Sequence, residues 1–205
     1  MLTLHYAPGT CALAVHLALE YAAADYHIER VDFASKAQRS EAFLRINPNG
    51  RVPTLVTEQG ALTETLALLL YVAQRFPQAN LAPLDDPFLL AKVQSMNSYL
   101  CSTVHVAHAH RFRGERWADD AVAIEAMKAR SPANMAACFA LIEQSLLVGP
   151  WVLGERFSIS DIYLFTISEW LEKHEVDIAA YPKVAALRER MRADPVVQRV
   201  KAAEG

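Results

Sequence analysis

LTLHYAPGTCALAVHLALEYAA, residues 2–23, changes its pattern once, and that change indicates the fold. Residues 2–6 are rich in residue types that favour β-strands, and the apolar residues from position 11 onward recur at helical spacing. Pro8 and Gly9 separate the two patterns, as turn residues do. The stretch therefore predicts a strand, a tight turn and a helix whose first turn contains Cys11.

Strand and helix patterns continue to alternate up to about residue 80. Residues 26–33 favour a second strand, and residues 40–50 favour a short helix that ends on Asn-Pro-Asn-Gly. Residues 52–63 predict two strands joined at Gln59-Gly60, and residues 64–76 predict a helix. The order β-α-β-α-β-β-α implies one parallel pair and an antiparallel hairpin, in a small mixed sheet covered by helices.

The remainder of the chain has only helical patterns. Residues 77–87 contain three prolines and no helical period, so they indicate a linker. Helices are then expected over about 88–112, about 119–147, 157–174, 181–195 and 195–203. Ser158-x-x-Asp161 predicts a capping box at the start of the third of these. We therefore expect an α/β domain over residues 1–78, a linker over 79–86 and an all-helical domain over 87–205.

Composition and charge exclude several classes of protein. The 205 residues are 53% hydrophobic and 21% charged, and the formal net charge of −3 includes no block of like charges. This composition is that of a globular protein, and neither a nucleic-acid nor a membrane partner is expected. The longest apolar run, residues 66–73, is too short to span a bilayer, and no signal peptide precedes Thr3. Three separated cysteines without C-x-x-C favour a reducing compartment, the cytoplasm.

Cys11 is the first candidate for chemistry. The N–H groups and the dipole at a helix N-terminus favour a thiolate or a bound anion. The alternative is a small buried thiol, since cysteines are common in protein cores. Because no second cysteine is nearby, a reactive Cys11 must pair with a thiol from outside the chain.

Other candidates lie at predicted strand and helix ends. Tyr6 ends the first strand, where ligand crevices form, or it packs with its hydroxyl at the surface. A cis Val52–Pro53 bond would turn the Val52 backbone outward toward a ligand, whereas a trans strand-start proline is the commoner case. Glu64 and Thr65 open a helix, so they either cap it or grip the head group of an amino acid.

Five polar residues step by 4, 4, 3 and 3 along the long helix: Asn97, Cys101, His105, His108 and Arg111. In a regular α-helix they share a stripe about 80° to 120° wide. The stripe predicts either the wall of a cleft or a solvated face. A metal site at His105-x-x-His108 is not favoured, because no acid or third histidine lies nearby in the sequence.

Four segments together resemble the cytosolic glutathione transferases. They are YAPGTCALAVHLAL at 6–19, INPNGRVPTL at 46–55, LTETLALLLYVA at 62–73 and GERFSISDIYLF at 154–165. The pattern P-G-x-C-x-L-x-x-H at Pro8 to His16 is most similar to the bacterial beta class. The resemblance covers essentially the whole chain. It implies a thioredoxin-like N-terminal domain, a helical C-terminal domain, a cytoplasmic homodimer and glutathione as co-substrate, with no metal.

The resemblance also implies roles for particular residues. It implies that Cys11 lies beside the glutathione sulfur. The hydrogen-bond donor to that sulfur is then expected to be Cys11, its backbone N–H, Thr10 or Tyr6. The residues that it implies for glutathione binding are Lys36, Arg51, Val52, Pro53 in cis, Glu64 and Thr65. For the second substrate it implies His105, and we expect Tyr6, His108 and Arg111 beside that substrate as well. For a contact across the dimer it implies the position of Ser98, with Asn97 one step away.

The expected reaction is ionisation of the glutathione thiol followed by attack on a small hydrophobic electrophile, as in detoxification. Lowering a thiol pKa by about two units needs roughly 2.7 kcal/mol, which a helix N-terminus and one hydrogen-bond donor can supply. Two other functions stay open. Cys11 can form a mixed disulfide with glutathione and act as an oxidoreductase or peroxidase. The scaffold can also bind glutathione or a partner without catalysis.

Overall fold

The computed structural model describes all 205 residues, in four strands and nine α-helices. The strands are β1 (Leu2–Tyr6), β2 (Tyr26–Arg30), β3 (Thr54–Thr57) and β4 (Gly60–Thr63). The helices are α1 (Ala12–Tyr21), α2 (Glu41–Ile46), α3 (Thr65–Arg75), α4 (Pro87–Tyr99), α5 (His105–Phe112), α6 (Ala121–Leu141), α7 (Ile159–Ser168), α8 (Pro182–Ala193) and α9 (Pro195–Glu204). Two compact units result, one of residues 1–90 with 192–205 and one of residues 91–191.

The first unit contains one mixed sheet in the order β2-β1-β3-β4. β1 runs parallel to β2, with Tyr6 opposite Arg30, and antiparallel to β3, with His5 opposite Thr54. The β3–β4 hairpin pairs Thr54 with Thr63. The predicted order β-α-β-α-β-β-α and the fold class are confirmed. This register brings the last residues of β1, β2 and β4 and the first residue of β3 to the same end of the sheet.

Helix α1 lies at the centre of this unit. Residues 12–19 are all buried, because α1 packs against α3 on one side and α9 on another. A helix that is apolar all round must be covered on every side. Residues 192–205 supply part of that cover, although the sequence assigned them to the helical domain. The predicted domain boundaries at residues 78 and 86 stay a prediction.

The second unit is helical, as expected, but its two long helices are not uniform. A π-helical segment, Leu100–Val104, separates α4 from α5, and another, Ile142–Leu146, follows α6. The wider π turn rotates the residues after it relative to those before it. The polar residues that were expected on one stripe are all at least partly buried: Asn97 and His108 are buried, and Cys101, His105 and Arg111 are partly exposed.

Helix α7 begins with the predicted capping box. The Ser158 hydroxyl accepts a hydrogen bond from the Ser160 N–H at 3.3 Å. The Asp161 carboxylate accepts from the backbone N–H of Ser158 at 2.8 Å and of Val152 at 2.6 Å. α7 ends at Ser168, and a short 3-10 helix, Leu171–His174, occupies the rest of the range expected as one helix. No helix of the chain is both long and apolar enough to cross a membrane.

Candidate active site

The turn between β1 and α1 is fixed by its own side chains. Gly9 has a φ of +69°, which a residue without a Cβ adopts easily. The Thr10 hydroxyl donates to the Ala7 carbonyl at 2.7 Å and accepts from the Ala12 N–H at 3.3 Å. These two bonds place Cys11 at the N-cap of α1, immediately before the first turn in which it was expected. Because the Thr10 hydroxyl already donates its proton to Ala7, Thr10 is a poorer candidate for the donor to a thiolate.

Cys11 is buried and faces the loop before β3. Its Sγ lies 3.8 Å from the carbonyl oxygen of Val52. The Val52–Pro53 peptide bond is cis, as the resemblance implied. The Val52 carbonyl faces the Cys11 thiol, whereas a cis bond was expected to turn it outward toward a ligand. The structure thus brings together the helix N-terminus, a thiol and the loop that precedes β3.

A buried asparagine holds this loop in place. The amide of Asn47 donates to the Arg51 carbonyl at 2.8 Å and to the Thr54 hydroxyl at 2.9 Å. Its oxygen accepts from the Asn49 N–H at 3.0 Å. Sequence reasoning used Asn47 only as part of a helix-ending signal. An asparagine whose side chain bonds the backbone two residues on is the available clue.

Gly50 is required within the same loop. Its φ is +60°, and a Cβ there would lie 2.7 Å from the Gln38 carbonyl oxygen. The loop therefore packs closely against the segment that contains Lys36. Lys36 has a φ of +58° and an exposed side chain. The Arg51 side chain is exposed as well, so two cations flank the loop.

Glu64 and Thr65 begin α3 at this end of the sheet. Since Thr54 pairs with Thr63, the residues that follow β4 lie beside those that precede β3. Glu64 has φ +71° and ψ +117°, a strained conformation for a residue with a side chain, and such strain concentrates at functional sites. Its carboxylate is exposed, while Thr65 is buried in the first turn of α3. An acid, a hydroxyl and a helix N-terminus therefore adjoin one another.

Tyr6 is packed into the first unit. Its side chain is 5% exposed, and its ring centroid lies 6.0 Å from that of His16. The sequence left two alternatives for Tyr6, a ligand crevice or packing, and the ring of Tyr6 is packed. The residues predicted for glutathione binding all lie in the first unit: Lys36 just before a 3-10 helix, Arg51 to Pro53 in the loop before β3, and Glu64 and Thr65 at the start of α3.

Apart from Tyr6, the residues predicted for the second substrate all lie in the second unit, on α5. The His105 ring is 4.9 Å from that of Trp170, and the His108 ring is stacked on the same indole at 4.3 Å. Arg111 forms an ion pair with Glu175 at 2.7 Å. Nowhere in the chain do three histidine, cysteine, aspartate or glutamate side chains lie together as a metal site requires.

His174 is the partner that sequence reasoning missed. Its Nε2 lies 2.9 Å from Nδ1 of His108, although 66 residues separate them. Burial, followed by the charges around it, lowers the pKa of His108 to about 2. Burial likewise lowers the pKa of His174 to about 4. Both imidazoles are therefore neutral at pH 7.

Two residues were expected to reach across a dimer. Asn97 is fully buried within its own chain, and Ser98 is exposed. Only Ser98 is therefore available to a partner subunit.

Two family models match the chain. The N-terminal domain of glutathione S-transferase matches residues 1–74, and the C-terminal domain of glutathione S-transferase matches residues 106–195. The chain belongs to the glutathione S-transferase family. The resemblance seen in its sequence is confirmed.

Solved structures of bacterial glutathione transferases are close to this transferase. A homologue from Sulfitobacter, solved with bound glutathione, is 48% identical, with a TM-score of 0.96 over 99% of this chain and 98% of that one. The beta-class glutathione S-transferase of Sphingomonas chungbukensis is 33% identical, with a TM-score of 0.86 over 99% and 98%.

The curated relatives include two kinds of protein. Glutathione S-transferase GstA of Escherichia coli O157:H7 is 29% identical over 98% of each chain. The disulfide-bond oxidoreductase YfcG of Escherichia coli K12 is also 29% identical, over 95% of this chain and 92% of its own.

Proposed function

We propose that this transferase binds glutathione at the end of the sheet described above, ionises its thiol and transfers it to small hydrophobic electrophiles. The observation that carries the proposal is the convergence of three segments: Cys11 at the start of α1, the Val52–Pro53 loop, and Glu64–Thr65 at the start of α3. The bound glutathione of the Sulfitobacter homologue supports it.

Each part of the tripeptide has a chemically suited group at this site. Glu64 and the hydroxyl of Thr65 would hold the ammonium and carboxylate of the γ-glutamyl end, since a helix N-terminus favours an anion. The backbone of Val52 would pair with the cysteinyl part. Lys36 and Arg51 are exposed cations and would attract the glycyl carboxylate.

Ionisation of the thiol needs a modest stabilisation. A free thiol has a pKa of about 8.5, and a shift of two units corresponds to about 2.7 kcal/mol. The N-terminus of α1 supplies about 0.5–1 kcal/mol, and one hydrogen bond to the thiolate about 1.5–3. The backbone N–H of Cys11 is the best-placed donor, because the Thr10 hydroxyl already donates to Ala7 and the Cys11 thiol to Val52.

Calorimetric titration with reduced glutathione tests this proposal directly. At pH 7, in two buffers with different ionisation enthalpies, we expect binding with net proton release, because a bound thiolate gives up its proton. Thr65→Val should weaken binding by about tenfold through the lost hydroxyl. Thr57→Val, at the opposite end of the same hairpin, is the matched control. Failure of the wild type to bind millimolar glutathione would refute the proposal.

A second candidate function is disulfide exchange through Cys11, favoured by the name of the relative YfcG. The Cys11 thiolate would attack the mixed disulfide between glutathione and a substrate thiol, form a Cys11–glutathione disulfide and release the substrate as its thiolate. A glutathione thiolate would then attack the Cys11–glutathione bond, regenerate the Cys11 thiolate and leave as glutathione disulfide. Cys11→Ala separates the two functions: it abolishes exchange, whereas conjugation through a backbone donor survives.

Further proposals concern the wider setting of the enzyme. We propose that it acts as a homodimer in the cytoplasm, in detoxification, with exposed Ser98 at the contact between subunits. We also propose that α5 contributes His105 and His108 to recognition of the electrophile. Sedimentation velocity tests the dimer.

A further inference from the structure

Three side chains of the second unit form a continuous chain of hydrogen bonds. The Ser131 hydroxyl donates to the Ala107 carbonyl at 2.7 Å. The same oxygen lies 3.1 Å from Nδ1 of His174, and Nε2 of His174 lies 2.9 Å from Nδ1 of His108. Ser131 and His174 are completely buried. These hydrogen bonds therefore join α6, the 3-10 helix Leu171–His174 and α5.

The donors and acceptors available in these groups fix the direction of each hydrogen bond. A carbonyl only accepts, so the Ser131 proton is committed to Ala107. Nδ1 of His174 must then be the donor to Ser131. In a neutral imidazole the other nitrogen carries no proton, so Nε2 of His174 accepts from Nδ1–H of His108. His108 is consequently held as the Nδ1–H tautomer, with a lone pair on Nε2.

The surroundings keep both rings neutral. His108 is faced by His174, His105, Arg113 and Lys173, all of which disfavour a positive charge on its ring, and burial lowers its pKa further. His174 is faced by Arg111 and Lys173, with the same consequence. The lone pair on Nε2 of His108 is thus present throughout the physiological pH range.

His108, which carries that lone pair, is part of a cluster of aromatic rings. The His108 ring is stacked on Trp170 and lies 4.9 Å from Phe112 and 6.2 Å from His105. Phe112 is 47% exposed and His105 is partly exposed, so the cluster reaches the surface of its unit. The Nδ1–H of His108 is used in the bond to His174, so Nε2 is the nitrogen that can accept from a ligand. An acceptor among aromatic rings suits a planar ligand that carries a donor.

We propose that Ser131 and His174 hold His108 as a fixed hydrogen-bond acceptor, which selects aromatic electrophiles that carry a hydroxyl or N–H donor. His108 contacts the substrate in this scheme, and Ser131 and His174 are positioning residues. The inference rests on the proposed function, because it names the class of electrophile that the transferase would conjugate.

The first experiment measures ligand binding to His108 and does not depend on catalysis. Nitrogen-15 NMR of the histidine-labelled full-length protein identifies which His108 nitrogen is protonated. We expect a bare Nε2 whose resonance shifts when p-cresol is added, and a smaller shift with 4-methylanisole, which lacks the donor. Equal responses to the two probes, or a protonated Nε2 in the free protein, would overturn the inference.

The turnover arm compares 4-hydroxy-β-nitrostyrene with 4-methoxy-β-nitrostyrene in the presence of glutathione. The wild type should favour the phenol in kcat/KM by about two- to tenfold, as one hydrogen bond predicts. His108→Phe keeps a ring without an acceptor and should reduce the ratio to one. His108→Gln offers an amide oxygen and should restore part of the preference. His110→Phe, on the same helix but outside the hydrogen-bond chain, is the matched control.

Ser131→Ala tests the positioning role. Without the hydroxyl, His174 can change its tautomer, so Nε2 of His108 should become partly protonated and the substrate ratio should fall. An unchanged tautomer and ratio would contradict the role of Ser131. If neither nitrostyrene is conjugated, the proposed function fails, and the two NMR probes still decide whether His108 selects donors.

Discussion

Asp161 illustrates, at the scale of a residue, how burial and hydrogen bonding oppose each other. Its carboxylate accepts from the N–H of Val152 and from the N–H and hydroxyl of Ser158, which favours the charged form. Removal from water favours the neutral form and has the larger effect, so the pKa of Asp161 rises from 3.8 to about 6. The capping box therefore titrates just below neutral pH.

Asp161→Asn should remove a measurable pH dependence of stability. Because the folded pKa of Asp161 lies above its unfolded value, the folded state binds the proton more tightly. The resulting stability is complete below about pH 4 and is lost as the pH rises through about 6. Relative to Asp161→Asn, the wild-type free energy of unfolding should fall by up to about 3 kcal/mol from pH 4 to pH 7. Urea unfolding of both proteins at four pH values measures this, and a pH-independent difference would contradict it.

The loop of residues 47–53 shows what a connecting element needs in order to present a site. It has no regular hydrogen-bond ladder, so buried side chains must satisfy its backbone. Asn47 does so from inside the loop, and the Thr54 hydroxyl adds a bond to the Arg51 carbonyl at 3.0 Å. The position of Val52 beside Cys11 depends on these bonds.

Asn47→Ala should therefore affect both stability and binding. It leaves the Arg51 carbonyl with one fewer donor and opens a space in the interior, at a cost of about 1–3 kcal/mol. We expect weaker glutathione binding as well, because the Val52 backbone is no longer fixed. Asn49→Ala is the matched control: its side chain is exposed, and its backbone N–H still reaches Asn47. Chemical unfolding and calorimetry report both effects, and equal results for the two variants would refute this role.

At the scale of the whole molecule, the two ends of the chain close one unit. His16 of α1 and Glu204 of α9 are 188 residues apart, yet Nδ1 and Oε1 lie 2.9 Å apart with both side chains buried. A second link between the same helices, from Arg199 to Glu20 at 3.2 Å, has its arginine on the surface. The C-terminal helix is thus part of the core around α1.

Glu204→Ala should destabilise the protein by about 2–3 kcal/mol, because it leaves a buried histidine without its charged partner. Arg199→Ala breaks the exposed link and should cost less than about 1 kcal/mol. A double-mutant cycle of His16→Ala and Glu204→Ala, followed by urea unfolding, isolates the pair. Additive effects in that cycle would show that the pair contributes no coupling.

Local pattern determined much of this protein from sequence alone. The change from strand to helix in residues 2–23, the hairpin at Gln59-Gly60 and the capping box at Ser158 each depend on residues within a few positions of one another. The four family-like segments added the family, and with it the cis bond before Pro53. Residues close to each other in the sequence determine such features, so a single sequence is sufficient to predict them.

Packing decided the rest. The contact of Cys11 with Val52 spans 41 residues, that of His108 with His174 spans 66, and that of His16 with Glu204 spans 188. Periodicity does not record such pairs, because they meet only when separate elements pack. The π-helical segment at Leu100–Val104 is the same kind of case, since periodicity predicted one uninterrupted α-helix there. The sequence by itself therefore determined the elements, their order and the family, and only the tertiary structure decided which distant side chains share a site.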